Sequence, residues 1–149
     1  LANAQHARKS SKGAQQQSQD KISSARSLFA FVIPLLSAER DSIRNAIVAA
    51  LGSINKNLYR TLLESLQYAV TTCNEEAKMR IGVHYRSPSS PRRSRKTDRL
   101  RTEVTHVYKL TSHFLLEPEV YSDDWIVNNL VTYTKDLRIF LSDSEVQND

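Results

Sequence analysis

Residues 41–52 read DSIRNAIVAALG. Ile43, Ala46, Ile47, Ala50 and Leu51, continued by Ile54, fall at i, i+3, i+4, i+7, i+8 and i+11. That spacing places one apolar stripe along a helix. Asp41 or Ser42 stands where an N-cap belongs, and Gly52 lies near the far end. Ala46 and Ala50 are small enough for a second helix to come close. Asp41 precedes Arg44 by three residues, so the two side chains can meet over one turn and bond a neighbouring layer. A helix with such a face needs something stacked on it.

Upstream, Leu28, Phe31, Val32, Leu35 and Leu36 give another stripe of helical period, which Pro34 should kink or shorten because proline lacks the N–H and clashes with the preceding turn. Downstream, Tyr59, Leu62, Leu63, Leu66, Val70 and Cys73 predict a third helix. A fourth stripe runs from Leu100 through Val104, Val107, Tyr108, Thr111, Phe114 and Leu115, closed by Pro118. A fifth takes Ile126, Leu130, Tyr133, Leu137, Phe140 and Leu141, with Ser122, Asp123 and Asp124 at its start, where acids suit the positive end of the helix dipole. No segment alternates as a strand does. The expectation is an all-α chain of about five helices, residues 22–142. Residues 1–21, polar and glutamine-rich, are expected to be a disordered lead-in, and 143–149 a polar tail.

The 149 residues suit one domain with a modest core, and 40% of them are hydrophobic. Three glycines and four prolines argue against a turn-rich β protein. The single cysteine, Cys73, cannot form an internal disulfide, which favours a reducing, cytoplasmic setting. No apolar run approaches the roughly 20 residues that span a bilayer. The chain begins with Leu1 rather than methionine, so we expect a piece of a longer protein. The net charge of +5 is concentrated: residues 78–101 hold nine Lys or Arg and only Asp98, leaving 12 basic and 15 acidic residues elsewhere. Within this span "RSPSSPRRSRKT", residues 86–97, has nothing apolar to bury, so 79–98 are expected to form a solvated, disordered loop.

The helix pair built on "FVIPLL" and "DSIRNAIVAALG" resembles a HEAT repeat, with Asp41 and Arg44 at the repeat junction; an ordinary helical hairpin in a bundle is the alternative. Repeats of this kind cannot bury both faces alone, and roughly three or more must stack. Five helices supply about two and a half. The expected partners of the opening face are therefore the third helix and flanking repeats of the same longer chain.

The stretch from "SLFAFVIPLLSAERDSIRNAIVAALGSINKNLYRTLLESL", across the basic insert, to "EVTHVYKLTSHFLLEPEVYSDDWIVNNLVTYTKDLRIFL" resembles the Furry family of very large cell-morphogenesis proteins, above all its fungal members. The resemblance covers about residues 25–142 and preserves the order of helix pair, insert and final helix. It implies a non-catalytic scaffold of HEAT or armadillo-like repeats that works with NDR-family kinases and their Mob co-activators at the cell cortex or sites of polarised growth. No family binding residue transfers to this segment.

Little in the sequence speaks for chemistry. His106 and His113 are two helical turns apart, but a metal site needs three or four converging ligands, and Cys73 has no CxxC partner. Asp123 and Asp124 point apart on a helix, and capping accounts for them. There is no glycine-rich phosphate loop, no GxSxG and no HExxH. No enzyme activity, metal or cofactor is expected. The basic segment has only Tyr85 among its charges, so stacking platforms for nucleic acid are missing and that partner is not expected; weak contact with an anionic membrane remains open. An adaptor acting on either through residues 78–101 is the alternative function. The same segment carries phosphorylation signals. Ser87 and Ser90 each precede a proline. His84-Tyr85-Arg86-Ser87-Pro88-Ser89 is an HxRxxS pattern similar to NDR and LATS kinase substrates, with His84 and Arg86 as determinants and Ser89 as acceptor. His6-Ala7-Arg8-Lys9-Ser10-Ser11 repeats it, with His6, Arg8 and acceptor Ser11. The plain alternative is that histidine and arginine co-occur in two polar, basic segments.

Overall fold

The computed structural model describes the backbone of residues 2–84 and 94–148, with side chains for 12–79 and 94–142. Helix α1 (Ala2–Val32) passes into a 3-10 turn at Ile33–Ser37, and α2 (Asp41–Gly52) leads through a 3-10 turn at Lys56–Leu58 into α3 (Tyr59–His84). Helix α4 (Arg95–Thr111) likewise passes into a 3-10 turn at Ser112–Leu116, followed by the single turn α5 (Pro118–Tyr121) and α6 (Asp124–Asn148). The described residues contain no strand. All five expected helices are present, and α5 adds a short sixth.

The order repeats: long helix, 3-10 turn, short helix, long helix. Two bonded pairs fix the relation of the halves. Asn129 donates to Gln67 at 3.0 Å, and Asn74 donates to Asp136 at 3.0 Å. Both pairs are 62 residues apart, so α3 and α6 run parallel and in register. They are corresponding helices of two stacked three-helix units. The described residues thus form two three-helix units rather than two and a half helix pairs.

The core lies along α3, which packs on α1, α4 and α6. Tyr59, Leu62, Leu63 and Leu66 are fully buried, and Val70 and Cys73 nearly so, as their spacing predicts. Val104, Val107 and Thr111 of α4 meet them, and the Tyr59 and Phe114 rings lie 5.1 Å apart. Burial pushes the Tyr59 phenol upward in pKa, an effect the Thr111 hydroxyl opposes. Cys73 is enclosed, and burial raises its thiol also.

Proline breaks the helices where expected. Pro34 sits at the start of the first 3-10 turn, and Pro118 opens α5, where its missing N–H costs nothing. Asp123, ahead of α6, accepts from the backbone N–H of Trp125 at 3.0 Å and Ile126 at 3.3 Å, so it is the cap within the Ser122–Asp124 group.

Four expectations are corrected. The lead-in 1–21 is helical, forming the first two thirds of α1. Its Ala, Gln, Lys and Arg are good helix formers with no proline among them, so local propensity supports a helix without a packed face. The expected loop 79–98 is helical at both described ends, because α3 continues to His84 and Ser94 caps α4 by accepting from Thr97 N–H; 85–93 lie outside the described residues. The buried residues are Ala25 and Phe29 on α1 and Ile33 and Leu36 in the 3-10 turn after it, whereas Leu28 and Phe31 are 57% and 72% exposed. On α2 they are Val48 and Leu51, with Ala46 and Ala50 exposed. Helix α2 therefore presents to α4 and the first 3-10 turn a face rotated from the small-residue stripe.

Candidate interaction surfaces

Three features of the surface and its seams can bear on function: the Arg44 junction, the α3–α6 seam and the outer face of α1. Asp41 is the first residue of α2 rather than its cap; Arg40 holds the cap position without a side-chain bond. The Asp41 carboxylate is engaged by Arg44 Nη2. Arg44, only 13% exposed, also donates from Nη1 to the carbonyls of Ala38 and, at 2.9 Å, Glu39. Its Nε lies 4.0 Å from Glu103 Oε1 on α4. One guanidinium thus ties the 38–41 corner to α2 and to the second unit. Glu103 is nearly buried, and its other oxygen faces His106 Nδ1 at 3.6 Å. Nearby, Arg99 Nε donates to Ser37 O at 3.2 Å, a second bond from α4 to the same corner. Sequence placed Asp41 and Arg44 at a junction; it gave no sign of Glu103, whose role depends on where α4 lies.

Gly52 has a negative φ, so it does not act as a left-handed cap. A Cβ there would stand 2.8 Å from Leu110 Cδ1 and 3.1 Å from Leu110 Cβ. The glycine is needed because α2 and α4 approach so closely.

Arg101, counted with the basic segment, is buried. It donates to Cys73 O at 2.6 Å and lies over the Phe140 ring, 3.8 Å from the centroid. It joins α3, α4 and α6. Thr97 bonds Glu76 across the same α3–α4 boundary. Two of the nine clustered cations, Arg99 and Arg101, therefore bind the protein's own carbonyls.

Beside the α3–α6 seam, Tyr108 of α4 stacks on Tyr133 of α6 with centroids 3.8 Å apart and planes 7° apart. Tyr108 donates to Asn129 at 3.0 Å, and Thr105 and Tyr133 share a hydrogen bond of 2.7 Å. Burial raises both phenols in pKa, Tyr108 well above the usual tyrosine range. A groove of about 470 Å³ opens over this seam.

Ser87, Ser89, Ser90 and Arg86 lie outside the described residues. His84 ends α3, while His6, Arg8 and Ser11 lie on α1; the side chains of these four are also outside the described set. The structure therefore brings Asp41 and Arg44 together and leaves the phosphorylation motifs unplaced. His106 and His113 do not converge: the first faces Glu103, and the second bonds Leu110 O through Nδ1 at 2.9 Å. Among the described residues no three His, Cys, Asp or Glu gather as a metal would need, and no helix is long and apolar enough to cross a membrane.

The cell polarity protein mor2 of Schizosaccharomyces pombe is 36% identical to this chain over 129 residues, which is 87% of the chain and 6% of that relative. The cell morphogenesis protein PAG1 of Saccharomyces cerevisiae is 27% identical over 143 residues, 96% of the chain and 5% of the relative. This chain is homologous to the fungal cell-polarity and morphogenesis proteins of the Furry family. The chain spans about a twentieth of the length of these relatives. No family model matches it, and no solved structure does.

Proposed function

We propose that this segment is a non-catalytic scaffold unit of a cytoplasmic Furry-type morphogenesis protein, stacked between flanking repeats and supporting NDR-family kinase and Mob signalling at the cell cortex during polarised growth. The carrying observation is the two-faced α1. Ala25 and Phe29, continued by Ile33 of the 3-10 turn, pack on their own unit; Leu28 and Phe31 on the other side of the helix are largely exposed. The corresponding helix α4 is covered by α2, α3 and the 3-10 turn of the preceding unit. A preceding repeat would cover α1 in the same way. Polarity relatives more than ten times longer than the segment have room for such repeats. The reading as an adaptor for nucleic acid or anionic membrane is disfavoured, since Arg99 and Arg101 are committed inside the fold.

The test is Leu28→Asp with Phe31→Asp in the full-length protein. Both side chains face outward, so the isolated segment should melt as wild type does. In cells the full-length variant should lose polarised growth and recover less NDR-family kinase and Mob on purification. Normal polarity and kinase recovery, with the segment still folded, would overturn the proposal.

A further inference from the structure

The small residues of α2 are not what α4 packs against. At about 100° per residue, Ile43, Ala46 and Ala50 lie on the side of the helix opposite the buried Val48, and all three are exposed. Arg44 and Gly52, on either side of Val48, face α4. The exposed stripe therefore points away from α4. Helix α1 is arranged in the same way: Ala25 and Phe29 pack inward, while Leu28 and Phe31 stay open.

Both open faces belong to one end of the molecule. Helix α1 packs on α3, α2 packs on α4, and α3 and α4 pack on each other. Helices α1 and α2 thus form the outermost layer on that side, and whatever they turn away from α3 and α4 is the end surface. The 3-10 turn at Ile33–Ser37 joins them, and its Leu35 is exposed too. Leu28, Phe31, Leu35, Ile43, Ala46 and Ala50 carry no charge among them. Such a surface suits a further apolar helix layer and has nothing to hold a phosphate.

The α2–α4 seam shows what fits beside α2. There a small residue of one helix, Gly52, takes a large aliphatic side chain of the next, Leu110, so closely that an added Cβ would stand 2.8 Å from Leu110 Cδ1. The distance between packed helix axes is set by the side chains at the contact, so small residues admit the closest neighbours. Ala46 and Ala50 offer that fit on the opposite face. The relatives, of which this chain covers 5–6%, have the further chain to supply a neighbour.

We infer that α2 as well as α1 carries the next helix layer: a helix pair of the same long chain, one helix over Leu28 and Phe31, the other along α2 with a large aliphatic side chain seated on Ala46 and Ala50 as Leu110 is on Gly52. This rests on the scaffold reading and adds to it the second helix and a limit on side-chain size at Ala46 and Ala50.

The test labels thiols in the purified full-length protein with iodoacetamide, read by mass spectrometry on the peptide that contains α2. Ala49 is exposed off the stripe. Ala50→Cys should react at least about tenfold more slowly than Ala49→Cys, because an enclosed thiol is inert. Ala46→Leu with Ala50→Leu should open the seam and speed amide exchange across α1 and α2, whereas Ala46→Ser with Ala50→Ser should exchange as wild type does. Leucine is a good helix former, and unchanged exchange over α3 and α4 shows that the fold itself is intact. Equal labelling of Ala50→Cys and Ala49→Cys, or exchange indifferent to the two leucines, would overturn the inference. Either result, alongside lost polarity in Leu28→Asp with Phe31→Asp, would leave the scaffold reading standing on α1 alone. Protection of Ala50→Cys alongside normal polarity in that double variant would instead uphold the helix layer and remove its scaffold role.

Discussion

Replacing Arg44 with alanine removes one side chain from four partners, and the structure ranks them. Asp41 is 81% exposed, so its ion pair contributes little. The bonds to the Ala38 and Glu39 carbonyls are charge-assisted; each is worth about 1.5–3 kcal/mol net, less whatever water restores once the side chain is gone. The costly partner is Glu103, only 9% exposed. At 4.0 Å and an effective dielectric of about 20, unit charges attract by about 4 kcal/mol, and stranding a buried carboxylate costs about 3–5 kcal/mol. These effects overlap, so Arg44→Ala should destabilise by about 3–4 kcal/mol in urea unfolding. Glu103→Gln should reduce that cost, because no charge is then stranded. Arg44→Lys should fall between, since one ammonium cannot reproduce the guanidinium fork. Arg60, half exposed with Glu64 and Asp123, is the control and should move the midpoint hardly at all. If Arg44→Ala matches Arg60→Ala, or if Glu103→Gln leaves its cost unchanged, the junction argument is wrong.

Gly52→Ala should destabilise by about 1 kcal/mol despite better helix propensity, because the new methyl meets Leu110 Cβ at 3.1 Å; Leu110→Ala should rescue it in the double variant. Asp123→Ala should cost about 0.5–2 kcal/mol as a lost cap. Burial raises the Asp123 pKa, but the Ile126 N–H, the Arg60 guanidinium and the Trp125 N–H lower it more, so the net shift is downward. Its stabilisation is therefore present above the unfolded value near 3.9 and lost as pH falls through the folded one; Asp123→Asn should flatten that part of an acid-unfolding curve. Tyr59, Tyr108 and Tyr133 are shifted upward, Tyr108 most, so their stabilisation is full below about pH 10 and lost as pH rises further; phenolate absorbance should show them ionising together with unfolding. An NDR-family kinase with its Mob partner should phosphorylate Ser89, with incorporation lost in His84→Ala; mass spectrometry showing none at Ser89, or no dependence on His84, would leave only a basic segment.

The five longer helices were legible because apolar period and the prolines Pro34 and Pro118 agreed on where they run, with Asp123 as the cap of α6, although neither Asp41 nor Ser42 caps α2. The stripe of α3 was read residue for residue: each of its six apolar positions is buried. Which side of α1 faces inward was not legible, for a physical reason. Residues 25–36 carry apolar side chains on both sides, so a period of 3.6 fits Leu28–Phe31–Leu35 as well as Phe29–Ile33–Leu36. Only the position of α3 chooses between them. Arg101 was misread for a related reason. It closes a basic segment, but i+3 and i+7 spacing ties it to Val104 and Tyr108, so the helix turns it inward with them. A residue's place on the helix, rather than the charge of its segment, was the usable signal.

The same reasoning bears on Gly52 and the small residues before it. Glycine near a helix end suggests a reversal of the chain, while alanines at i and i+4 suggest a close helix partner. The structure separates these signals: Gly52 has the close partner, α4, and Ala46 and Ala50 are left exposed. Close packing on the glycine side is accompanied by the buried Arg44–Glu103 pair, both joining α2 to α4. Steric fit and buried charge thus select the same orientation of α2. A helix rotated to bury Ala46 and Ala50 would withdraw Arg44 from Glu103 and leave the carboxylate of α4 without its cation. The cost of that separation, rather than the width of the apolar stripe, accounts for the face that α2 turns to the core.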